Sequence, residues 1–298
     1  MGEPFIGSEA TGRGLLTKRE LTVGHVRLFR DVYAPKGLDI TAADRAEAGW
    51  LWSRRRAVVA GFSAVALHGG KWVEVTRPAE LIHDNRHRLP GLLVRADTVE
   101  PDEVQVIAGV PVTVPARTAL DIACWYPAMV AVPAIDALAR ATNFPLADAE
   151  LLVQLHRGRR GLRRARTALD LVDAGAESPR ESWLRLVLAR AGLPRPRTQI
   201  RVRDRHTGKV AYLDLGWEDL KVAAEYDGEH HRTDLRQYRH DAERHEMLQR
   251  LGWIVIRVLA GDREHDIVRR VRAARARAAP SPRQRAEREA RFTRDHPA

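Results

Sequence analysis

The sequence predicts a multidomain α/β (α+β) chain, and three observations carry that expectation. Its 298 residues exceed what one ordinary hydrophobic core organises, so two or more domains are expected. Helix-starting boxes alternate with short apolar runs of period two along the chain, the pattern of mixed helices and strands. Near residue 218 two apolar strands flank an acidic, turn-compatible break, which predicts a β-hairpin.

The first segment, residues 1–37, reads as a small helical unit with a β return. Thr17-Lys18-Arg19-Glu20 is a capping box, in which the Thr hydroxyl meets the Glu20 amide and the Glu side chain reaches back. Leu28 to Tyr33 then alternates like a strand. Helix, basic turn and short strand suit a winged helix-turn-helix, with Arg19 and Arg30 as candidate nucleic-acid contacts.

The middle segment, residues 38–174, opens on a helix at Thr41-Ala42-Ala43-Asp44 that ends in Arg54-Arg55-Arg56. Strand-like pieces follow at 79–83, 91–95 and 104–114, and helices are expected from Pro115 and over Ala131–Ala141. His68, alone at a helix end, suits capping or packing better than chemistry. Residues 156–169 hold six arginines and no acid. With Leu162, Ala165, Leu169 and Val172 near helical spacing, they predict an amphipathic basic helix over 156–172. Its Arg159, Arg160 and Arg163 are further candidate contacts, although a solvated face explains them as well. A hinge at Ala174-Gly175-Ala176 places the next domain at 175–272, and residues 273–298 read as a basic tail.

Composition narrows the function. Fifty Lys and Arg against 39 acids give +11 and a pI near 10.5, which favours a polyanionic partner; an Arg-rich genome would inflate the same count. DNA fits better than RNA, because no array of base-stacking aromatics is evident. No apolar run approaches the roughly 20 residues of a membrane span, so no membrane partner is expected. One cysteine, Cys124, and no signal-peptide pattern make a reducing cytoplasm the simplest compartment.

The chemistry-bearing stretch runs from Tyr212 to Gly228. Strand alternation puts Glu225 and Asp227 on one face and Tyr226 on the other, and pairing across the turn brings Asp214 near Glu225. Converging carboxylates repel in a partly desolvated site. A hard divalent cation such as Mg²⁺ (or Mn²⁺) offsets that repulsion and activates water. His230 and His231 follow directly as acid, base or phosphate contact. A solvated acidic rim without function has the same spacing.

The ordered run Glu181…Asp214…Glu225-x-Asp227-Gly228-x-x-His231…Asp241-x-x-Arg244…Gly252-Trp253-x-Val255-x-Arg257 resembles the uncharacterised-domain family related to very-short-patch-repair (Vsr) endonucleases. Those enzymes belong to the PD-(D/E)XK nuclease-like superfamily. The resemblance implies a restriction-endonuclease-like mixed sheet with flanking helices, and Mg²⁺-assisted phosphodiester hydrolysis. It makes Asp214 the principal metal ligand and Glu225 the second acidic residue, with Asp227, His231 and Glu181 at the same site; Arg239 and Arg244 on the following helix are candidate phosphate contacts. The superfamily's lysine is replaced by Asp227, with Lys221 or His231 as substitutes.

The front resembles AbiEi-family antitoxin-type proteins. The matching residues are Leu16-Thr17-x-x-x-Leu21, Phe29-Arg30-Asp31-Val32-Tyr33, Gly61-x-Ser63-Ala64-x-x-Leu67-His68-Gly69 and Gly109-Val110-Pro111-Val112-Thr113-x-Pro115-Ala116-Arg117-Thr118. This implies a DNA-binding winged helix and a cognate toxin as partner. Two readings follow: a DNA-binding protein with a Mg²⁺-dependent endonuclease domain, and a non-enzymatic antitoxin-like regulator with an inactive nuclease fold.

Overall fold

The computed structural model describes residues 3–84, 89–227 and 235–279, with 235–240 described by backbone alone. The chain divides into two compact units after Ser182, each built of helices and strands, so the multidomain α+β expectation holds. The domain boundary expected at 174 falls instead inside the helix that begins at Pro179.

The first unit opens with β1 (Phe5–Ile6), α1 (Gly7–Gly12), α2 (Lys18–Gly24), β2 (His25–Phe29) and β3 (Val32–Pro35), a three-stranded sheet in the order β1-β3-β2. The Thr17–Glu20 box forms as read: the Thr17 Oγ1 accepts from the Glu20 amide at 3.2 Å and Glu20 accepts from the Thr17 amide at 2.7 Å. The run expected as one strand is a hairpin, because the chain turns at Arg30–Asp31, with Asp31 at φ 61°. Asp tolerates that conformation, and its carboxylate is held by the Ser8 amide and hydroxyl and by Arg54. Next, α3 (Ala42–Trp52), capped by Thr41 and Asp44, lies against all three strands.

A five-stranded sheet follows, from β4 (Val58–Val59), β5 (Ala79–Ile82), β6 (Leu92–Arg95), β7 (Val104–Ile107) and β8 (Val110–Thr113) in the order β6-β5-β4-β8-β7, with α4 (Gly61–Leu67) after β4. Ile6, Phe29 and Val32 share one core with Leu51, Val59, Leu81 and Val112. Residues 1–37 and the middle segment therefore form a single unit rather than two domains. Four helices complete it: α5 (Pro115–Trp125), α6 (Ala128–Thr142), α7 (Leu146–Leu155) and α8 (Leu162–Asp170). The basic helix expected over 156–172 is interrupted, since 156–161 is a turn. Gly161 ends that turn at φ 95°, where a Cβ would stand 2.5 Å from the Cys124 carbonyl.

Inside the first unit lies a buried charge network. Arg117 of α5 is 0% exposed and donates to Asp121 Oδ1 and the Thr98 carbonyl, each at 2.8 Å, and to Glu103. Arg159 bridges Asp121 at 2.6 Å and Asp97 at 2.8 Å, and His156 meets Glu103. Burial opposes ionisation of Glu103, but His156, the Glu100 amide and Arg117 hold its carboxyl below the ordinary value. Burial pushes Asp121 up, against the pull of Arg117 and Arg159. A separate acid, Glu80, is 1% exposed and accepts from the Tyr126 hydroxyl at 2.7 Å. Burial pushes it to about 7, against Tyr126, Arg95 and Arg77.

The second unit contains the end of α9 (Pro179–Arg190), then β9 (Arg197–Arg203), β10 (Val210–Trp217), β11 (Val222–Asp227), α10 (Leu235–Arg250), β12 (Ile254–Leu259) and α11 (Glu264–Ala278). Its sheet runs β12-β11-β10-β9, antiparallel except for the parallel β11–β12 pair that α10 connects. On one face Leu184, Leu188, Ile267 and Val271 pack on Val222, Ala224 and Val258. On the other, Met247 and Leu248 of α10 pack on Ile200, Leu213 and Ala223. Residues 273–278, expected in the basic tail, belong to α11, which continues to Ala278 with Ala274 buried; residues 280–298 lie outside the described residues.

Removing the hub of the charge network leaves buried carboxylates uncompensated. Arg117→Met is expected to cost about 3–5 kcal/mol in urea unfolding; a loss below about 1 kcal/mol would show the network to be dispensable. Glu80 acts in the opposite sense. The folded carboxyl keeps its proton to about pH 7 whereas the unfolded one releases it near 4.5, so stability falls as pH rises through that window. Glu80→Gln removes this slope. The variant is expected to match wild type near pH 4 and to exceed it by up to about 3 kcal/mol above pH 7. A difference that stays constant across that range in thermal unfolding would refute the assignment.

Candidate functional site

The acidic residues of the second unit meet where a β-ladder ends. β10 and β11 pair through Trp217↔Val222, Gly216↔Ala223 and Leu215↔Ala224. Past that point the Tyr226 amide donates to Asp214 Oδ2 at 3.0 Å, so a side chain takes the place of a ladder carbonyl. Arg244 of α10 closes the rest of the gap. Its guanidinium donates to the Tyr212 carbonyl at 2.6 Å, to Glu225 Oε2 at 3.1 Å, and to Glu225 Oε1. The structure thus brings Asp214 and Glu225 together as expected, with Asp227 following on the same strand.

Glu225 is 9% exposed, and both its oxygens face a cation supplied by the protein. Burial works against the charge of Arg244, but the hydrogen bonds and charge of Glu225, then Asp214 and Asp241, raise its pKa. This donor set does not fit Mg²⁺ or Mn²⁺ as arranged. A hard divalent cation needs free oxygen ligands, and Arg244 already uses those of Glu225. Among the described residues no three His, Cys, Asp or Glu side chains are grouped to hold a metal ion.

The other residues expected at this site are placed differently. Glu181 belongs to the first unit, where its Oε2 accepts from the Glu177 amide at 2.9 Å; it caps its own helix. Lys221 lies in the β10–β11 turn at φ 49° and donates to the Leu251 carbonyl at 2.9 Å, at the opposite end of β11 from the acids. His230, His231 and the side chain of Arg239 lie outside the described residues. His68 caps α4 and contacts the Thr113 carbonyl at 2.8 Å.

The arginines proposed to contact nucleic acid separate into two groups. Arg159 points inward, held by Asp97 and Asp121, and Arg244 is committed to Glu225; neither is available to a phosphate. Arg160 and Arg163 are exposed. Arg19 and Arg30 are exposed on α2 and at the β2–β3 turn, and no acid pairs with them among the described residues. The same is true of Lys18, Arg27 and Lys36, which sequence reasoning missed. The signal was present in the capping box, which fixes the register of α2; for Arg27 it was not, since Val26 and Arg27 are both exposed on β2. α2 buries no residue at all, so the winged element presents an open cationic surface.

Comparison with known proteins places this surface in a family. The model of the AbiEi antitoxin C-terminal domain matches residues 18–171, more than half of the chain. The protein belongs to the AbiEi antitoxin family. The match runs from α2 to just past α8, and so includes the hairpin and the whole Arg117 network. Its Pro115-Ala116-Arg117-Thr118 motif is where the buried hub sits.

Two proteins of Mycobacterium tuberculosis are similar along most of their length: the uncharacterized proteins MT2308 of strain CDC 1551 / Oshkosh and Rv2248 of strain ATCC 25618 / H37Rv. Each is 29% identical over 252 residues, covering 83% of this chain and 92% of the relative. An alignment of that length cannot be contained in the 182 residues of the first unit, so the relatives share part of the second unit as well. No solved structure matches the chain. The AbiEi match supports the resemblance read in the front of the sequence; the Vsr-like resemblance rests on its motif alone.

The metal question has a direct test. Because Arg244 occupies Glu225, millimolar Mg²⁺ or Mn²⁺ is expected to leave the thermal midpoint unchanged. A rise that Asp214→Ala abolishes would show the divalent site after all, since a ligand that binds the folded state must stabilise it.

Proposed function

We propose that this AbiEi-family protein is a non-enzymatic, antitoxin-type regulator that binds duplex DNA through α2 and the β2–β3 hairpin and works with a cognate toxin. The observation that supports this most directly is the set of exposed, unpaired cations on the winged element, Lys18, Arg19, Arg27, Arg30 and Lys36. Neighbouring arginines are neutralised: Arg54 pairs with Asp31 at 2.8 Å and Arg55 with Glu9 at 2.6 Å. Cations left free beside cations that are paired form a surface suited to phosphates. Helix and hairpin together give the groove-and-backbone contact of helix-turn-helix proteins. The family's antitoxin designation favours the same reading.

The second reading is the Mg²⁺-dependent endonuclease. It draws on the meeting of Asp214 and Glu225 at a strand end, with Asp227 two residues further along β11, and it requires Arg244 to leave Glu225. Cleavage of plasmid DNA in Mg²⁺ that is lost in Asp214→Ala would favour it over the regulator.

Arg19→Ala/Arg30→Ala removes two of the proposed phosphate contacts from exposed positions, so the fold should be retained. Binding to a duplex from the region upstream of the gene is expected to weaken at every salt concentration. The slope of log affinity against log salt should shrink by about 2, close to 0.9 per phosphate. An unchanged slope would remove the winged element from the interface.

A further inference from the structure

The β9–β10 hairpin of the second unit carries a cationic face that none of the functions above uses. The strands pair Arg203 with Val210 and Arg201 with Tyr212. Ile200, Val202, Ala211 and Leu213 are buried beneath α10. Arg201, Arg203, Val210 and Tyr212 alternate with them and are exposed, Tyr212 by 55% and Val210 by 40%. α11 lies on β11 and β12 rather than on this pair, so the face is open within its unit.

The connecting loop is built rather than slack. Asp204 is fully buried and accepts from the His206 amide at 2.9 Å; its own amide donates to the Lys209 carbonyl at 2.9 Å, and Gly208 turns at φ 72°. This geometry leaves Arg205 exposed at the tip. Arg201, Arg203 and Arg205 have no acidic partner among the described residues. The flanking cations do: Lys209 pairs with Glu243 and Arg197 with Glu218, each at 2.5 Å. Acids therefore neutralise Lys209 beside the loop and Arg197 at the far end of β9, and leave Arg201, Arg203 and Arg205 charged.

We infer that the β9–β10 hairpin is a second nucleic-acid contact, a two-stranded ribbon whose Arg201, Arg203 and Arg205 meet phosphates and whose Tyr212 lies against the sugar–base edge. Strands spaced about 4.8 Å apart form a ribbon that the major groove, about 12 Å wide, admits. Three unpaired guanidiniums on one short ribbon match a phosphate backbone in sign and in the forked hydrogen bonds they offer. The exposed tyrosine across from Arg201 supplies apolar contact that a merely solvated face would not need. This inference deepens the DNA-binding reading and rests on it, but on different residues.

The full-length chain titrated against a fluorescein-labelled mixed-sequence duplex, across a range of salt, separates the two contacts. Arg201→Gln/Arg203→Gln/Arg205→Gln is expected to lower affinity at least tenfold near 100 mM salt and to reduce the salt slope by about 2–3. Tyr212→Ala should lower affinity with the slope unchanged. Far-UV circular dichroism and the thermal midpoint should match wild type, because all four residues are exposed. If the triple variant binds like wild type while Arg19→Ala/Arg30→Ala does not, the hairpin inference fails and the winged-element reading stands. If the hairpin variant loses binding while the wing variant keeps it, the reverse holds. A full-length chain that binds no duplex would overturn both.

Discussion

Arg117 sets the problem that the first unit is arranged to solve. A fully buried guanidinium is tolerated only when its donors are met, and three different parts of the chain meet them: the 3-10 turn at Glu103, the stretch after β6 at Thr98, and α5 itself at Asp121. That arrangement brings three acids, Glu103, Asp121 and Asp97, against two arginines, Arg117 and Arg159. The remaining negative charge faces the His156 imidazole. The helices after the sheet are placed by the same charges. Arg159 has to enter from the turn between α7 and α8, which forces that turn close to α5 and leaves room only for Gly161 against the Cys124 carbonyl. The motif Pro115-Ala116-Arg117-Thr118 is therefore a folding element.

The second unit uses an arginine in a comparable way on a smaller scale. Where β10 and β11 part, a backbone carbonyl and a nearly buried carboxylate would be left without donors, and Arg244 serves both. Asp214 closes the other side of the gap by accepting from the Tyr226 amide. Seen this way, the acids that resemble a nuclease centre also stabilise a splayed hairpin, and the guanidinium fills the role a metal would have as countercharge. Removing either member of the Arg244–Glu225 pair leaves a partly desolvated charge, which costs more than the pair itself contributes. A nuclease on this scaffold needs Arg244 to exchange Glu225 for another anion; a regulator needs no change at all.

How much of this was legible in the sequence depended on the range of the interaction. The capping box at Thr17 and the helix start at Thr41 formed as read, because a cap is settled within four residues. The strands at 79–83, 91–95 and 104–114 appeared, the last as a hairpin turning at Ala108 and Gly109. The hairpin that holds Asp214 and Glu225 was legible from alternation and its turn. Arg159 was not legible, since nothing local distinguishes it from Arg160: one finds Asp97 and Asp121, some 62 and 38 residues earlier, and the other faces solvent. The wing's Leu28–Tyr33 run hid a turn at Arg30–Asp31 because the Asp31 clamp to Ser8 and Arg54 is a tertiary feature. The boundary at 174 failed for a similar reason. Asp136 holds the Asp173 amide at 2.7 Å and the Ser182 hydroxyl at 2.6 Å, which keeps residues 173–182 with the first unit despite their hinge-like composition.

Net charge alone would have assigned the arginines badly. A surplus of +11 says that phosphates are favoured partners, but a cation already satisfied by a carboxylate releases no counterions on binding and adds little to affinity. The informative quantity is which cations the fold leaves unpaired. On α2 and the β2–β3 hairpin, Arg19, Arg27 and Arg30 stay free while Arg54 and Arg55 behind them are neutralised. In the second unit Arg201, Arg203 and Arg205 stay free while Arg197, Lys209 and Arg244 are neutralised. Burial of polar charge thus has a second consequence beyond stability: by consuming Arg117, Arg159 and Arg244 internally, the fold removes those cations from the set open to phosphates. Such a restriction favours a defined register on a nucleic acid over diffuse attraction to any polyanion.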